Sequence, residues 1–284
     1  MEEVVKFKEE YIMVVQHNLT AMNSNRMLGI TTASQAKSTE KLSSGYKVNR
    51  AADDAAGLAI SEKMRRQIRG LTQAAANAQD GVSMVQTAEG ALNEVHDMLQ
   101  RLNELAVKGE NGTLTSSDRS YINAEVKQLM SEIDRVASTT TFNQKNLLNG
   151  SCSAGIQLQV GAEASQHITL TIAKMNCSGL GLTGSVSGAS GTSAAALNKS
   201  VKTAIQKLNK QRSDLGSIQN RLEHTINNLN NIAENTTSAE SAIRDTDMAT
   251  EMVRYANNNI LAQAGQAMLA QANQANQGVL SLLG

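Results

Sequence analysis

The 284-residue chain contains no proline and no tryptophan, and only 2% of its residues are aromatic. Domains of this size ordinarily build their cores around large aromatic side chains, so a compact aromatic-rich core is not expected. The absence of proline suits long uninterrupted helices, because a proline inside one costs about 3 kcal/mol. Surplus charge of either sign is missing too: 26 basic and 26 acidic side chains cancel. A nucleic-acid binder needs a basic surface for phosphates, so nucleic acid is not an expected partner. No apolar run reaches the roughly 18 residues that would suggest a membrane-spanning helix, and membrane insertion is not expected. The N-terminus lacks the apolar stretch and small-residue cleavage site of a secretory signal. What is present is a 40% hydrophobic fraction, too high for a disordered tail. These features describe a mainly α chain packed through Ala, Leu, Ile, Val and Met.

Chemistry-bearing residues are sparse. Cys152 and Cys177 belong to no CxxC pair, and His167 alone does not complete a zinc site. A disulfide between them and two free thiols are both open. His17, His96, His167 and His224 are scattered singly, which reads as surface or satisfied histidines rather than ligands. Asp53 and Asp54 are the most enzyme-like pair. Adjacent helical residues point in different directions, however, so capping or pairing with Arg50 is the plainer reading. Asp245 and Asp247 read the same way. No P-loop, GxGxxG, GxSxG or HExxH occurs, so neither catalysis nor a cofactor is expected.

From Ile60 to Ala106, apolar residues recur at alternating steps of three and four, through Leu71, Ala78, Val85, Leu92, Leu99, Leu102 and Ala106. That is the period of a coiled-coil seam. Gly109-Glu110-Asn111-Gly112 breaks it. Ser117 and Asp118 are candidate N-caps of a second helix, with Ile122, Val126, Leu129 and Ile133 on one face. Ile156, Leu158 and Val160, then Ile168, Leu170 and Ile172, alternate with polar residues, which predicts a β-hairpin. Residues 176–194 are rich in Gly, Ser and Thr and read as a surface loop, with O-glycosylation candidates between Thr183 and Ser193. Helical periodicity resumes from Leu197 to Leu229. The last segment has a seam of its own: Leu261, Ala264, Met268, Ala272, Ala275, Val279 and Leu282. Its other face is Asn and Gln, and the stretch from Val15 to Leu42 is similar but weaker. The first twelve residues stand apart. Lys8-Glu9-Glu10, read as purine-rich codons just ahead of Met13, suggest that Met13 is the start and residues 1–12 a translated leader. A genuine acidic extension is the alternative.

Long motifs at both ends carry a family resemblance. Lys41-Leu42-Ser43-Ser44-Gly45-Tyr46-Lys47-Val48-Asn49 and Asp53-Asp54-Ala55-Ala56-Gly57-Leu58-Ala59-Ile60 resemble the N-terminal signature of bacterial flagellin. Asp245-Thr246-Asp247-Met248-Ala249-Thr250-Glu251 and Leu269-Ala270-Gln271-Ala272-Asn273-Gln274 resemble its C-terminal signature. The resemblance implies a mainly α fold, a long antiparallel helical bundle or coiled coil with a small β-hairpin. It implies an inner-tube part, D0, whose N-terminal helix and spoke span 13–57 and whose C-terminal spoke and helix span 237–284. The shell part, D1, would span 58–175 and 195–236, with 176–194 a short loop in place of outer domains. Met13 sits where flagellins of this type begin.

The implied function is a structural subunit that polymerises into the flagellar filament for motility, secreted without a cleaved signal. A hook–filament junction protein is the alternative, and an exported enzyme on the same scaffold lacks any catalytic constellation here. Implied partners are further copies of the chain, a flagellar export chaperone, the type III export apparatus, the filament cap and the hook-associated proteins. The C-terminal seam, Leu261 to Leu282, becomes the expected filament-packing surface. Gln100-Arg101-Leu102-Asn103-Glu104-Leu105-Ala106-Val107 resembles the D1 segment through which many flagellins bind host Toll-like receptor 5, and Glu125 matches another contact position. Leu102 and Ala106 lie on the core seam. Gln100, Arg101, Leu105 and Glu125 are therefore the expected receptor contacts.

Overall fold

The structure is a computed structural model that describes the backbone of residues 18–186 and 192–283, with side chains up to Ala275. In chain order it forms α1 (Leu19–Ser44), α2 (Ala55–Glu110), α3 (Ser116–Thr139), β1 (Thr141–Phe142), β2 (Lys145–Asn146), β3 (Ile156–Gln159), β4 (His167–Leu170), α4 (Cys177–Leu180), α5 (Thr192–Arg244) and α6 (Met248–Leu283). The expected mainly α fold with a small hairpin is what is seen. Two compact units divide the chain: a central one, Met64–Thr237, and a terminal one of the residues up to Lys63 and from Ser238.

In the central unit the predicted seam of α2 is buried from Leu71 to Ala106, with Leu92, Val95, Leu99 and Leu102 wholly enclosed. Ile122, Val126 and Ile133 of α3 and Leu197, Val201, Leu208, Leu215 and Leu222 of α5 complete one continuous core. Two polar contacts set α5 antiparallel to α2: Asn198 donates to Glu110 at 2.8 Å and Arg212 lies 3.8 Å from Glu89. Buried Gln211 is satisfied by the backbone beyond β4, donating to the Thr171 carbonyl and accepting from Ala173 N–H, each at 3.1 Å. That pairing removes the cost of a buried amide.

The hairpin forms in the predicted place, with Ile156 opposite Leu170 and Leu158 opposite Ile168. It can approach α2 closely because α2 presents glycine there. A Cβ on Gly70 would lie 2.9 Å from the Ala162 Cβ, and one on Gly81 would lie 2.5 Å from Leu158 Cδ1. Between them Asn77 donates to the Gln159 carbonyl at 3.1 Å.

Several expectations are corrected here. The N-cap of α3 is Thr115, not Ser117 or Asp118. Asp118 is the third helical residue, and the two side chains form a reciprocal capping box. A second, two-residue-turn hairpin, β1–β2, escaped the sequence pattern; its turn residues Asn143 and Gln144 take φ of 46° and 65°. The described residues of the 176–194 segment are not a surface loop throughout: Cys177, Leu180, Leu182, Val186 and Ala194 are buried in the core. Spaced among glycines, these anchors show no period and so read as linker. Ile60, placed on the seam by its spacing, is exposed.

In the terminal unit α1 and α6 run antiparallel. Asn18 caps α1 by accepting from Ala21 N–H and also donates to the Ala272 carbonyl at 3.0 Å. The residues of α1 that lose exposure are Ala21, Ser24, Leu28, Thr31, Gln35 and Ser38, at steps of three and four. Their counterparts on α6 are Glu251, Tyr255, Asn258, Ala262, Gly265, Leu269 and Ala272. This seam is mostly small or polar, with Leu28, Tyr255 and Leu269 as its larger members. It permits close approach, and a Cβ on Gly265 would already lie 3.3 Å from Leu28 Cδ1. Helix α1 ends at Gly45, whose φ of 75° needs the left-handed region and whose N–H returns to the Lys41 carbonyl.

Past α1 a compact joint forms. Tyr46 pairs with Asp245 in an antiparallel bridge, and Lys47 N–H donates to the Arg244 carbonyl at 2.7 Å. The Arg244 guanidinium stacks 4.5 Å over the Tyr46 ring and pairs with Glu62 at 2.9 Å.

Candidate interaction surfaces

The carboxylate pairs that could have suggested catalysis are structural. Asp53 accepts from Arg50 N–H at 3.1 Å and Asn49 N–H at 3.3 Å and pairs with Lys37 at 3.2 Å. The partner is Lys37 and not Arg50, which instead reaches Glu40 at 2.8 Å. The Arg50 N–H first, and then the Lys37 ammonium, hold the Asp53 carboxyl below its ordinary value. Asp54 caps α2, accepting from Gly57 N–H at 2.8 Å. Asp247 caps α6 through Ala249 N–H and the Thr250 hydroxyl, and that hydroxyl is the main cause of its lowered pKa. Asp245 accepts from the Ser241 hydroxyl at 2.6 Å.

The two cysteines are separate, buried free thiols. Cys152 donates to the Asn146 carbonyl and Cys177 to the Met130 carbonyl, at 3.2 and 3.1 Å. Burial, reinforced by the nearby Asp134 charge, pushes the Cys177 thiol up to about 12. Among the described residues no cluster of three or more His, Cys, Asp or Glu could hold a metal, and no helix is long and apolar enough to cross a membrane. A cleft of about 370 Å³ beside the hairpin turn is lined by Leu71, Val160, Ala162, Glu163, Leu229 and Ile232. Its polar lining is the amides of Gln67, Gln166 and Asn228, the Thr225 hydroxyl and one exposed carboxylate, Glu163, which make no catalytic constellation.

What remains is surface. In the terminal unit α1 exposes Leu19, Met22, Met27 and Ile30, and α6 exposes Met252, Val253, Ile260, Leu261 and Met268. With about 3.6 residues per turn, Leu19, Met22 and Ile30 lie on the side of α1 turned away from the α1–α6 seam, and Met27 lies on its flank. Of the residues expected to pack the filament, Leu261, Ala264, Met268 and Ala275 are exposed in the single chain. Ala272 belongs to the seam with α1. Val279 and Leu282 lie outside the residues whose side chains are described. The intrachain seam therefore runs one position later than the apolar period, through Ala262, Gly265 and Leu269. Sequence reading missed Leu19, Met22, Met252 and Val253, although unburied apolar positions off the seam were the signal for them.

On the central unit a polar patch joins α2 to α3. Arg101 bridges Glu104 and Glu125, each at 2.9 Å. Hydrogen bonds to Glu104 and then Glu125 push its pKa further up. Gln100 is exposed beside it, 3.4 Å from His96 Nε2. Arg101 and Glu125 are thus brought together, while Gln100, the neighbour of Arg101 in the chain, is exposed and bonds only to His96 among the contacts seen. Leu105 is not part of this patch: its side chain is 3% exposed and belongs to the core, so the expectation that it faces a partner is corrected. Its position beside Ala106 puts it on the widened apolar stripe that two neighbouring helices cover. Tyr121, one turn before Glu125 on α3, is 74% exposed and was not singled out by its sequence.

A family model described as the bacterial flagellin N-terminal helical region matches residues 15–153, and one for the C-terminal helical region matches 199–283. The chain is 50% identical over 272 residues to a flagellin of Halalkalibacterium halodurans, covering 95% of this chain and 100% of that one. It is 49% identical over 285 residues to the flagellar filament 31.3 kDa core protein of Treponema maltophilum, with 95% and 100% covered. Among solved structures it is similar to the crystal structure of Bacillus cereus flagellin, at 31% identity and a TM-score of 0.49, over 54% of this chain and 88% of that one.

Proposed function

The chain belongs to the bacterial flagellin family and is a structural subunit of the flagellar filament, not an enzyme, and from that premise we propose how its surfaces serve assembly. The terminal unit acts as D0 with its spokes and the central unit as D1. Copies join through the apolar faces of α1 and α6 that the single chain leaves open. The observation that carries this is the exposure of Met22, Ile30, Ile260, Leu261 and Met268 on helices whose mutual seam is mostly small or polar. Fully burying such a side chain yields about 1.5–3 kcal/mol, and only neighbouring copies can supply that burial. A contact that repeats without closing builds a helical filament. Zero net charge removes the self-repulsion that would oppose it.

The subunit reaches the cell exterior through the type III export apparatus, held beforehand by an export chaperone. It is added beneath the filament cap, distal to the hook-associated proteins. Deleting residues 249–284 removes one of the two apolar faces and is expected to abolish filaments in electron micrographs of the purified protein. Filaments from that truncation would refute the assignment, and the absence of long filaments from the intact chain would favour a junction protein.

A second reading concerns the patch on the central unit. The exposed Arg101–Glu125 bridge with Gln100 beside it favours binding to Toll-like receptor 5 through these three residues. Arg101→Ala together with Glu125→Ala should weaken receptor binding in a titration, with the helical signal of the protein unchanged. Unchanged affinity would remove them from the interface.

A further inference from the structure

We infer that the exposed methionines of the terminal unit are an oxidation site through which peroxide blocks assembly of the free subunit. This rests on the reading of α1 and α6 as the polymerisation surface. Among the described residues, the methionines that are exposed are Met22, Met27, Met248, Met252 and Met268, and all belong to the terminal unit. The methionines of the central unit are different. Met84 and Met175 are buried, Met98 and Met130 are packed against the core, and Met64, at the unit's edge, is half-buried. The thiols that would ordinarily compete for an oxidant are enclosed: Cys152 and Cys177 are 4% and 8% exposed. The thiolate is the reactive form of cysteine, and burial raises the pKa of both thiols. Sulfur reactivity is therefore directed to one surface, and that surface is the apolar one.

The chemistry is a two-electron oxygen transfer from a peroxide. The thioether lone pair takes one oxygen of hydrogen peroxide and the O–O bond breaks. The departing hydroxide leaves as water with the proton of the transferred hydroxyl. Sulfur gains one S–O bond and is oxidised, and the peroxide is reduced. The product sulfoxide is polar and chiral where the thioether was apolar and flexible. On a face that must be covered by a neighbouring copy, the new oxygen needs a donor that an apolar partner does not offer. Met22 and Met27 lie between Leu19 and Ile30 on α1, and Met268 follows Ile260 and Leu261 on α6, so the oxidised positions interrupt both faces. Once a neighbour covers the sulfurs they are no longer reachable, so the assembled filament resists what the free subunit does not.

The test uses the purified full chain before assembly, treated with hydrogen peroxide. Peptide mass spectrometry should find one added oxygen at Met22, Met27, Met248, Met252 and Met268 before Met84 and Met175, with both cysteines unmodified. The oxidised chain should need about tenfold more protein to form filaments by sedimentation, and methionine sulfoxide reductases should reverse the loss. The quintuple variant Met22→Leu, Met27→Leu, Met248→Leu, Met252→Leu, Met268→Leu should polymerise with or without peroxide. Undiminished filaments from the oxidised chain overturn the proposal, as does a Leu variant that peroxide disables as fully as the parent. An untreated chain that forms no filaments overturns the assembly reading and this proposal with it.

Discussion

The central and terminal units both pair long helices, yet they bury almost opposite things. The central unit encloses Leu92, Leu99, Leu102, Ile133, Leu208 and Leu215 completely. In the terminal unit, among the described residues, the buried apolar side chains are Val48 and Ala262, and buried Ser38, Ser61 and Glu251 stand beside them. Its larger apolar groups face outward. A helix pair can thus be used in two ways. One encloses most of its large apolar side chains within the chain. The other joins its helices mostly through small and polar residues, which hold them close at little hydrophobic gain, and leaves large apolar residues exposed in the single chain.

The comparison is broken most directly by cutting the same kind of residue from each unit. Leu99→Ala leaves a hole in a closed core and should cost about 2–5 kcal/mol in denaturant unfolding of the monomer. Leu261→Ala removes a side chain that is 57% exposed and should change monomer stability by no more than about 0.5 kcal/mol. Its effect should appear instead as a raised protein concentration for filament formation. If Leu261→Ala destabilised the monomer as much as Leu99→Ala, the terminal unit would have a core of its own and the contrast would fail.

The same contrast explains what could be read in the sequence. The α2 seam and the hairpin were legible because a closed core imposes its period on large apolar residues, from Leu71 to Ala106 and from Ile156 to Ile172. The α1–α6 seam was not. Ser24, Thr31, Gln35 and Ser38 carry no hydrophobic signal, and the apolar period of α6 at Leu261, Ala264 and Met268 marks residues that stay exposed in the single chain, while the seam runs through Ala262, Gly265 and Leu269. Leu105 was misplaced because a strict seam is narrower than the stripe of a helix covered by two neighbours. The anchors Leu180, Leu182 and Val186 were hidden by their glycine-rich surroundings. Asp53 was recognised as structural, but its partner Lys37 lies sixteen positions away on another element, beyond what local spacing can reveal.

Helix caps sharpen the comparison at a smaller scale. Thr115 closes the capping box of α3 in the central unit, and Asn18 caps α1 in the terminal one. Each substitution to Ala should cost about 1 kcal/mol of local helix stability. Thr115→Ala should lower the cooperative unfolding midpoint, because α3 is tied into the core through Ile122, Val126 and Ile133. Asn18→Ala should instead speed amide exchange along the first turns of α1 and leave that midpoint in place. A midpoint lowered equally by both would mean that the two units unfold as one.

Acid gives the smallest and most local distinction. Asp53 and Asp247 in the terminal unit, and Asp118 in the central one, all have folded-state pKa values held below the ordinary 3.8. Glu132 is likewise held below 4.5 by Arg135. A depressed carboxyl contributes stability that is fully present above its unfolded value and is lost as pH falls through the folded one. The contributions of the three aspartates therefore stand at neutral pH and fade below 3.8. In the central unit the apolar core remains when Asp118 and Glu132 protonate. In the terminal unit, protonating Asp53 dissolves the Lys37 pair and protonating Asp247 weakens the cap of α6, and little apolar burial is left to hold either. Amide exchange at residues 45–54 and in the first turn of α6 should accelerate below pH 3.8 while the Leu92–Leu102 stretch of α2 stays protected. Asp247→Asn, which can still accept the capping hydrogen bonds but cannot titrate, should flatten the acid response of α6 alone. Earlier loss of protection in α2 would show that ionic contacts, not apolar burial, set the difference between the units.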